Sequence, residues 1–132
     1  MKIVNDWPPN FELIRKRFPI GRHTIFTYGD SIYNPRNTEL DEHIVRHEAV
    51  HGQQQADYAG GPAAWWDRYI ADPAFRLEQE LEAYRVQWEF IKTEVTDRNR
   101  RFQILNLLAG ELSSPLYGSL ISRAEAIQAI DA

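Results

Sequence analysis

The chain has no cysteine and one methionine. The first absence removes disulfides, thiolate nucleophiles, cysteine zinc knuckles and iron–sulfur clusters together, and is compatible with a reducing compartment. No apolar run approaches the ~20 residues of a membrane span. The stretch Met1 to Pro9 breaks after three or four residues, too early for the apolar core of a signal peptide. The expected location is therefore the cytoplasm, with no membrane partner. A net charge of −4 supplies no positive excess to attract nucleic acid or an anionic membrane surface. Repeats, low-complexity tracts and linkers are also missing, so the 132 residues read as one domain over 1–132. Hydrophobic residues at 43% and charged residues at 26% fit a folded globular chain rather than a disordered one.

What is present reads as mainly α within the α+β class. Phe11 to Phe18 has the pattern of a short helix closed by Pro19 and Gly21. Two β-rich runs, His23 to Tyr28 and Ser31 to Tyr33, flank Gly29-Asp30 and predict a small hairpin. Thr38 with Asp41 three residues on resembles a capping box that opens a helix running to about Tyr58. Gly60-Gly61-Pro62 stops it. A short aromatic helix, Ala63 to Ile70, precedes Asp72-Pro73, an N-cap followed by proline at the first helical position. A long helix is expected from about Ala74 to Val95, another from Arg98 to Leu112, and a last one after the capping box Ser122-Arg-Ala-Glu125.

The motif that carries chemistry is Arg46-His-Glu-Ala-Val-His-Gly52. Residues four apart on a helix lie one above the other, about 6 Å along the axis, so His47 and His51 can offer two nitrogens to one ion. Glu48 is turned about 100° away, beside the place where a metal-activated water would sit, as a general base requires. Chance produces the pattern roughly once in a hundred such chains. The plain alternative is a pair of surface histidines. Against it, Leu40, Ile44, His47, His51 and Tyr58 share one side, which puts the imidazoles on the core-facing stripe. His43 extends the ladder, but lies about 12 Å from His51 along the axis, too far to share an ion with it. It reads as structural or as a partner to a ligand.

A catalytic zinc site usually has three protein ligands. Asp57, six residues after His51, occupies the last-ligand position of one class of zinc peptidases. That class needs glycine where this chain has Gln54, and a methionine turn where the only methionine is Met1. Glu78, Glu80 and Glu82 are the remaining choices. Leu77, Leu81, Tyr84, Trp88, Ile91 and Val95 form a stripe expected to face the core. Glu80 lies about 60° from its centre, Glu78 about 100° and Glu82 about 140°. Glu80 is the carboxylate directed toward the core, with Glu78 and Glu82 left as alternatives.

His47-Glu48-Ala49-Val50-His51, followed by Glu80-Leu81-Glu82-Ala83-Tyr84 on a later helix, resembles the gluzincin metallopeptidases. The likeness, over about residues 20 to 95, is nearest to the small single-domain minigluzincins and to short HExxH proteins of phages and bacteria. It implies a zincin-like fold, a Zn2+ ion on His47, His51 and Glu80, and Glu48 as general base. The expected activity is hydrolysis of a peptide or protein substrate, and the expected cytoplasm is that of the host if the gene is a phage's. It also makes the hairpin an edge strand for substrate pairing. Many gluzincins carry an acid four residues after the glutamate ligand to orient a histidine; here that residue is Tyr84. Arg46 stands in a position that is normally uncharged. Tyr84, Arg85, His23 and Tyr117 all remain open as the stabiliser of a developing oxyanion.

Two rival readings stand beside the enzyme: a non-catalytic zinc-binding module and a metal-free helical interaction module. Deformylase-type HExxH enzymes are excluded, because their cysteine ligand has no counterpart. Trp65-Trp66, Tyr69 and Phe75 read as core before they read as a specificity pocket. Arg98, Arg100 and Arg101 read as a solvated turn. Gln53-Gln54-Gln55 suggests hydrogen bonds across the cleft and no chemistry.

Overall fold

A computed structural model describes residues 1–132. Six α-helices and three short strands follow in the order β1 (Lys2–Val4), α1 (Phe11–Arg17), β2 (Phe26–Tyr28), β3 (Ser31–Tyr33), α2 (Glu42–Asp57), α3 (Gly61–Ala71), α4 (Pro73–Glu94), α5 (Arg98–Leu112) and α6 (Arg123–Ile130). A 3-10 turn, Pro115–Tyr117, separates α5 from α6. The fold is mainly α with a small sheet, as expected. No helix is long and apolar enough to cross a membrane.

The helix ends follow local chemistry. Asp72 accepts from the Phe75 amide with Pro73 in the first turn, Asp97 caps α5 through the Arg100 amide, and Ser122 with Glu125 forms a reciprocal capping box. One expected cap is absent. Asp41, not Thr38, is the N-cap of α2, and its side chain makes no capping bond. Thr38 is instead clamped by Asn34, whose amide bonds both its N–H and its carbonyl. Its hydroxyl is buried without a partner.

The hairpin forms at the expected place, with Gly29 at φ +65° in the first turn position, as a II′ turn requires. The sheet has a third strand that the hairpin pattern did not reveal. β1 pairs in parallel with β3, Ile3 opposite Ile32, giving the order β1-β3-β2. The turn rests on α2: the Gly29 amide donates to Gln55 Oε1 at 2.7 Å. Gly52 permits this approach, since a Cβ there would lie 3.2 Å from the Gly29 carbonyl and 2.9 Å from Met1 Cε.

Two apolar cores flank a polar seam. One, built from Tyr84, Trp88, Ile91, Leu105, Leu108, Ala109, Leu112, Ala126 and Ile130, joins α4, α5 and α6. The other places Trp65, Trp66, Tyr69 and Phe75 against Ile14, Phe18 and Phe26. Between them α2 lies along α4. Every fully buried side chain on α2 is polar: His47, Glu48, His51 and Gln55. The most buried line of α4 runs through Arg76, Glu80, Ala83 and Gln87, whereas Leu77 and Leu81 are only partly covered. The stripe read from the sequence is thus one of two buried faces, and the polar one faces α2.

Candidate metal centre

Helical spacing stacks His47 and His51, and α4 brings Glu80 to them. His47 Nε2 and His51 Nε2 are 3.2 Å apart, and Glu80 Oε1 is 3.2 Å from each. Ligands 2.0–2.1 Å from one ion at tetrahedral angles are separated by roughly 3.3 Å, so the triangle has the edges of a tetrahedral face. All three are buried, at 5%, 5% and 3% exposure. Glu78 and Glu82 are exposed on other faces of α4.

Hydrogen bonds behind the triangle set a glutamine oxygen against each Nδ1. His47 Nδ1–H donates to Gln87 Oε1 at 2.9 Å, and His51 Nδ1–H donates to Gln54 Oε1 at 2.8 Å. In this arrangement both Nε2 atoms direct lone pairs inward. Tyr69 donates to the other Glu80 oxygen at 2.6 Å. Burial and the Glu80 charge push the Tyr69 hydroxyl well above its ordinary pKa, which keeps it a donor. Three converging acceptors with no hydrogen between them repel one another unless a cation joins them. The donor set therefore fits a zinc ion: two imidazole nitrogens, one carboxylate and oriented outer nitrogens.

Without a metal, a proton serves as the cation. Burial alone would pull the His51 imidazolium pKa down, but the Glu80 carboxylate overrides it and holds the pKa at about 9. Burial likewise opposes the Glu80 charge, and the two imidazoles, His51 foremost, hold that carboxyl well below the usual range.

Glu48 lies beside the triangle. Its carboxylate falls with the two histidines inside a 4.8 Å group, but its Oε2 stands 3.7 Å from His47 Nε2, farther than Glu80. Thr27 of β2 donates to Glu48 Oε1 at 3.0 Å. Of the two carboxylates, Glu48 is thus the more distant from the imidazole nitrogen and is held on its far side by Thr27.

A small cavity of about 80 Å³ opens at the triangle, walled by Ile14, Phe18, Trp65, Trp66 and Tyr117 among others. The two tryptophans are core, as expected, and wall the site as well: the Trp65 ring centroid is 5.6 Å from that of His51. A groove of about 980 Å³ reaches His47 and Glu48 from outside, past Leu40, Ile44, Phe90 and Leu107.

The open oxyanion candidates separate. Arg85 donates to the Ala129 carbonyl, away from the site. His23 lines only the groove. Tyr84 packs edge-on against His47 at 4.5 Å and bonds Glu111 and Tyr117, so it orients no ligand through its hydroxyl. That task falls to Gln87. Tyr117 lines both the cavity and the groove.

β2 is an edge strand, but its Thr27 carbonyl already accepts from Gln55 Nε2 and Trp66 Nε1, so that carbonyl is not free to accept from another strand. Arg101 donates to the Val95 and Lys92 carbonyls at the end of α4, which gives the basic turn a structural role. Sequence reading assigned no role to Thr27, Gln54, Tyr69 or Gln87 in orienting the site. Two had a usable signal: Gln54 lies three residues after His51, and Gln87 two turns after Glu80. Comparison with known proteins gives no matching family model, curated protein or solved structure.

Proposed function

We propose that the chain is a zinc-dependent hydrolase of the gluzincin type that cleaves peptide bonds. The observation that carries this reading is the 3.2 Å triangle of His47 Nε2, His51 Nε2 and Glu80 Oε1, with Glu48 beside it rather than in it. His47, His51 and Glu80 would hold the zinc ion, which would supply Lewis acidity toward a carbonyl oxygen and toward the attacking water.

The chain's own groups supply the rest. Glu48, fixed by Thr27, takes a proton from the attacking water at its carboxylate and returns it to the leaving nitrogen. Tyr117, which lines the cavity, is the donor this reading assigns to the developing oxyanion, its hydrogen turning there from the Tyr84 oxygen 2.9 Å away. Burial pushes its hydroxyl pKa well above the ordinary value, so it stays protonated. Arg76 donates to the Tyr117 carbonyl from a fully buried position and holds that turn over the site. The groove beside His47 and Glu48, about 980 Å³, is the space this reading assigns to a peptide segment.

A second reading has one observation in its favour. All four site residues are at most 9% exposed, as in a structural clip that joins α2 to α4 without turnover. The test is the Glu48→Gln variant, assayed for zinc content and for cleavage of a fluorogenic peptide library. Retained zinc with lost cleavage supports the enzyme. Zinc in both proteins with cleavage in neither supports the clip. No zinc in the wild type removes both.

A further inference from the structure

The two glutamines that orient the histidines are not held alike. Gln54 Nε2 donates to two oxygens, the Gln79 carbonyl and Glu82 Oε1, each at 3.0 Å. A carbonyl never donates, so this amide has one orientation. Gln87 Nε2 has a single partner, His43 Nδ1 at 2.9 Å. An imidazole nitrogen donates or accepts according to where its hydrogen sits. The chain His43–Gln87–His47 therefore has two self-consistent settings. In one, His43 accepts, Gln87 Oε1 faces His47 Nδ1–H, and His47 Nε2 is bare toward Glu80. In the other every bond is reversed, His47 carries its hydrogen on Nε2, and it cannot ligate.

We propose that His43 is a positioning residue for metal binding: by accepting from Gln87 it selects the setting in which His47 presents a bare Nε2. The inference rests on the zinc reading above. Asp41 Oδ2 lies 3.6 Å from His43 Nε2 and favours the hydrogen on that nitrogen, leaving Nδ1 to accept. Gln87 and His47 are buried at 4% and 5% exposure, so water does not replace a missing partner cheaply. The His43 side chain is 32% exposed, so exchanging it disturbs little packing.

The experiment is a double-mutant cycle read as zinc affinity, by competition with a chromophoric chelator. The four proteins are wild type, His43→Phe, Gln87→Glu and the double variant. His43→Phe removes the acceptor. A carboxylate at position 87 accepts from His47 in any orientation and needs no selector, and its added charge cancels around the cycle. The expected result is about a tenfold loss from His43→Phe beside Gln87, the scale of losses behind metal ligands. In the Gln87→Glu background the same change is expected to cost less than about twofold, since no selection remains to be lost. An equal loss in both backgrounds, or none beside Gln87, overturns the proposal. Ring-nitrogen chemical shifts of His43 in zinc-loaded wild type test it without a variant: Nδ1 must be unprotonated, and the reverse tautomer overturns it. If wild type itself binds no zinc, the zinc reading has failed and this inference fails with it.

Discussion

His47 Nε2 and Glu80 Oε1 stand 3.2 Å apart across 33 positions of sequence, one on α2 and one on α4. With Gln87 taking the His47 Nδ1–H, both atoms are acceptors, and only a shared cation makes that contact favourable. The testable consequences begin with that cation.

Zinc is expected to bind at one equivalent and to stabilise the fold. A ligand at a thousandfold excess over Kd contributes about 4 kcal/mol, roughly 15 °C in Tm for a domain of this size. Thermal melts with and without a chelator measure the shift. Glu80→Ala should abolish it, and a full shift in that variant would assign the third ligand elsewhere.

Zinc affinity should depend on pH through His51. Its pKa in the metal-free protein is about 9, and the ion needs it deprotonated. Below pH 9 affinity should therefore rise about tenfold per pH unit and level off above it. Calorimetry at pH 7.5 in buffers of different ionisation enthalpy should show release of this proton. A binding constant flat between pH 7 and 9 would count against the assignment.

The metal-free protein should have its own stability window. Glu80 is depressed on folding, so its contribution is present above the unfolded value of about 4.3 and is lost as pH falls through the folded one. His51 is raised, so its contribution is complete below about 6.5 and is lost as pH rises toward 9. The pair is at full strength between about pH 4.5 and 6.5. Chelator-treated wild type should lose Tm between pH 6.5 and 9 by more than Glu80→Gln does; parallel curves would refute the coupling.

Tyr117→Phe is expected to keep zinc and lower kcat by about a hundredfold with little change in KM, as loss of an oxyanion donor does. Peptide hydrolysis with parallel zinc determination checks it. An unchanged kcat would remove Tyr117 from the chemistry.

Arg76 is fully buried, and its guanidinium donates to the Tyr69, Ile70 and Tyr117 carbonyls. Arg76→Met leaves three carbonyls without donors and should cost about 3 kcal/mol, roughly 10 °C in Tm. A loss within 1 °C in a thermal melt would show that water replaces those bonds.

The sequence by itself determined what depends on one helix at a time. His47 and His51 share a face because the helix repeats every 3.6 residues, and the caps at Asp72, Asp97 and Ser122 follow from residue chemistry within one turn. Glu80 stood out among three neighbouring glutamates by the same periodicity. Pairing between elements was a different matter. β1 lies against β3 only because the intervening chain folds back, which three residues cannot announce. Gln54 read only as one of three glutamines suited to hydrogen bonds across the cleft, and Gln87 carried no reading; the docking of α2 on α4 turned their carbonyl oxygens toward Nδ1. A glutamine has the same local propensity whether it meets water or an imidazole, so its role is written in the tertiary contact. Thr27 depends likewise on where the hairpin lands on α2. The candidate ligands were legible from spacing, and what aims them became visible only with the helices packed.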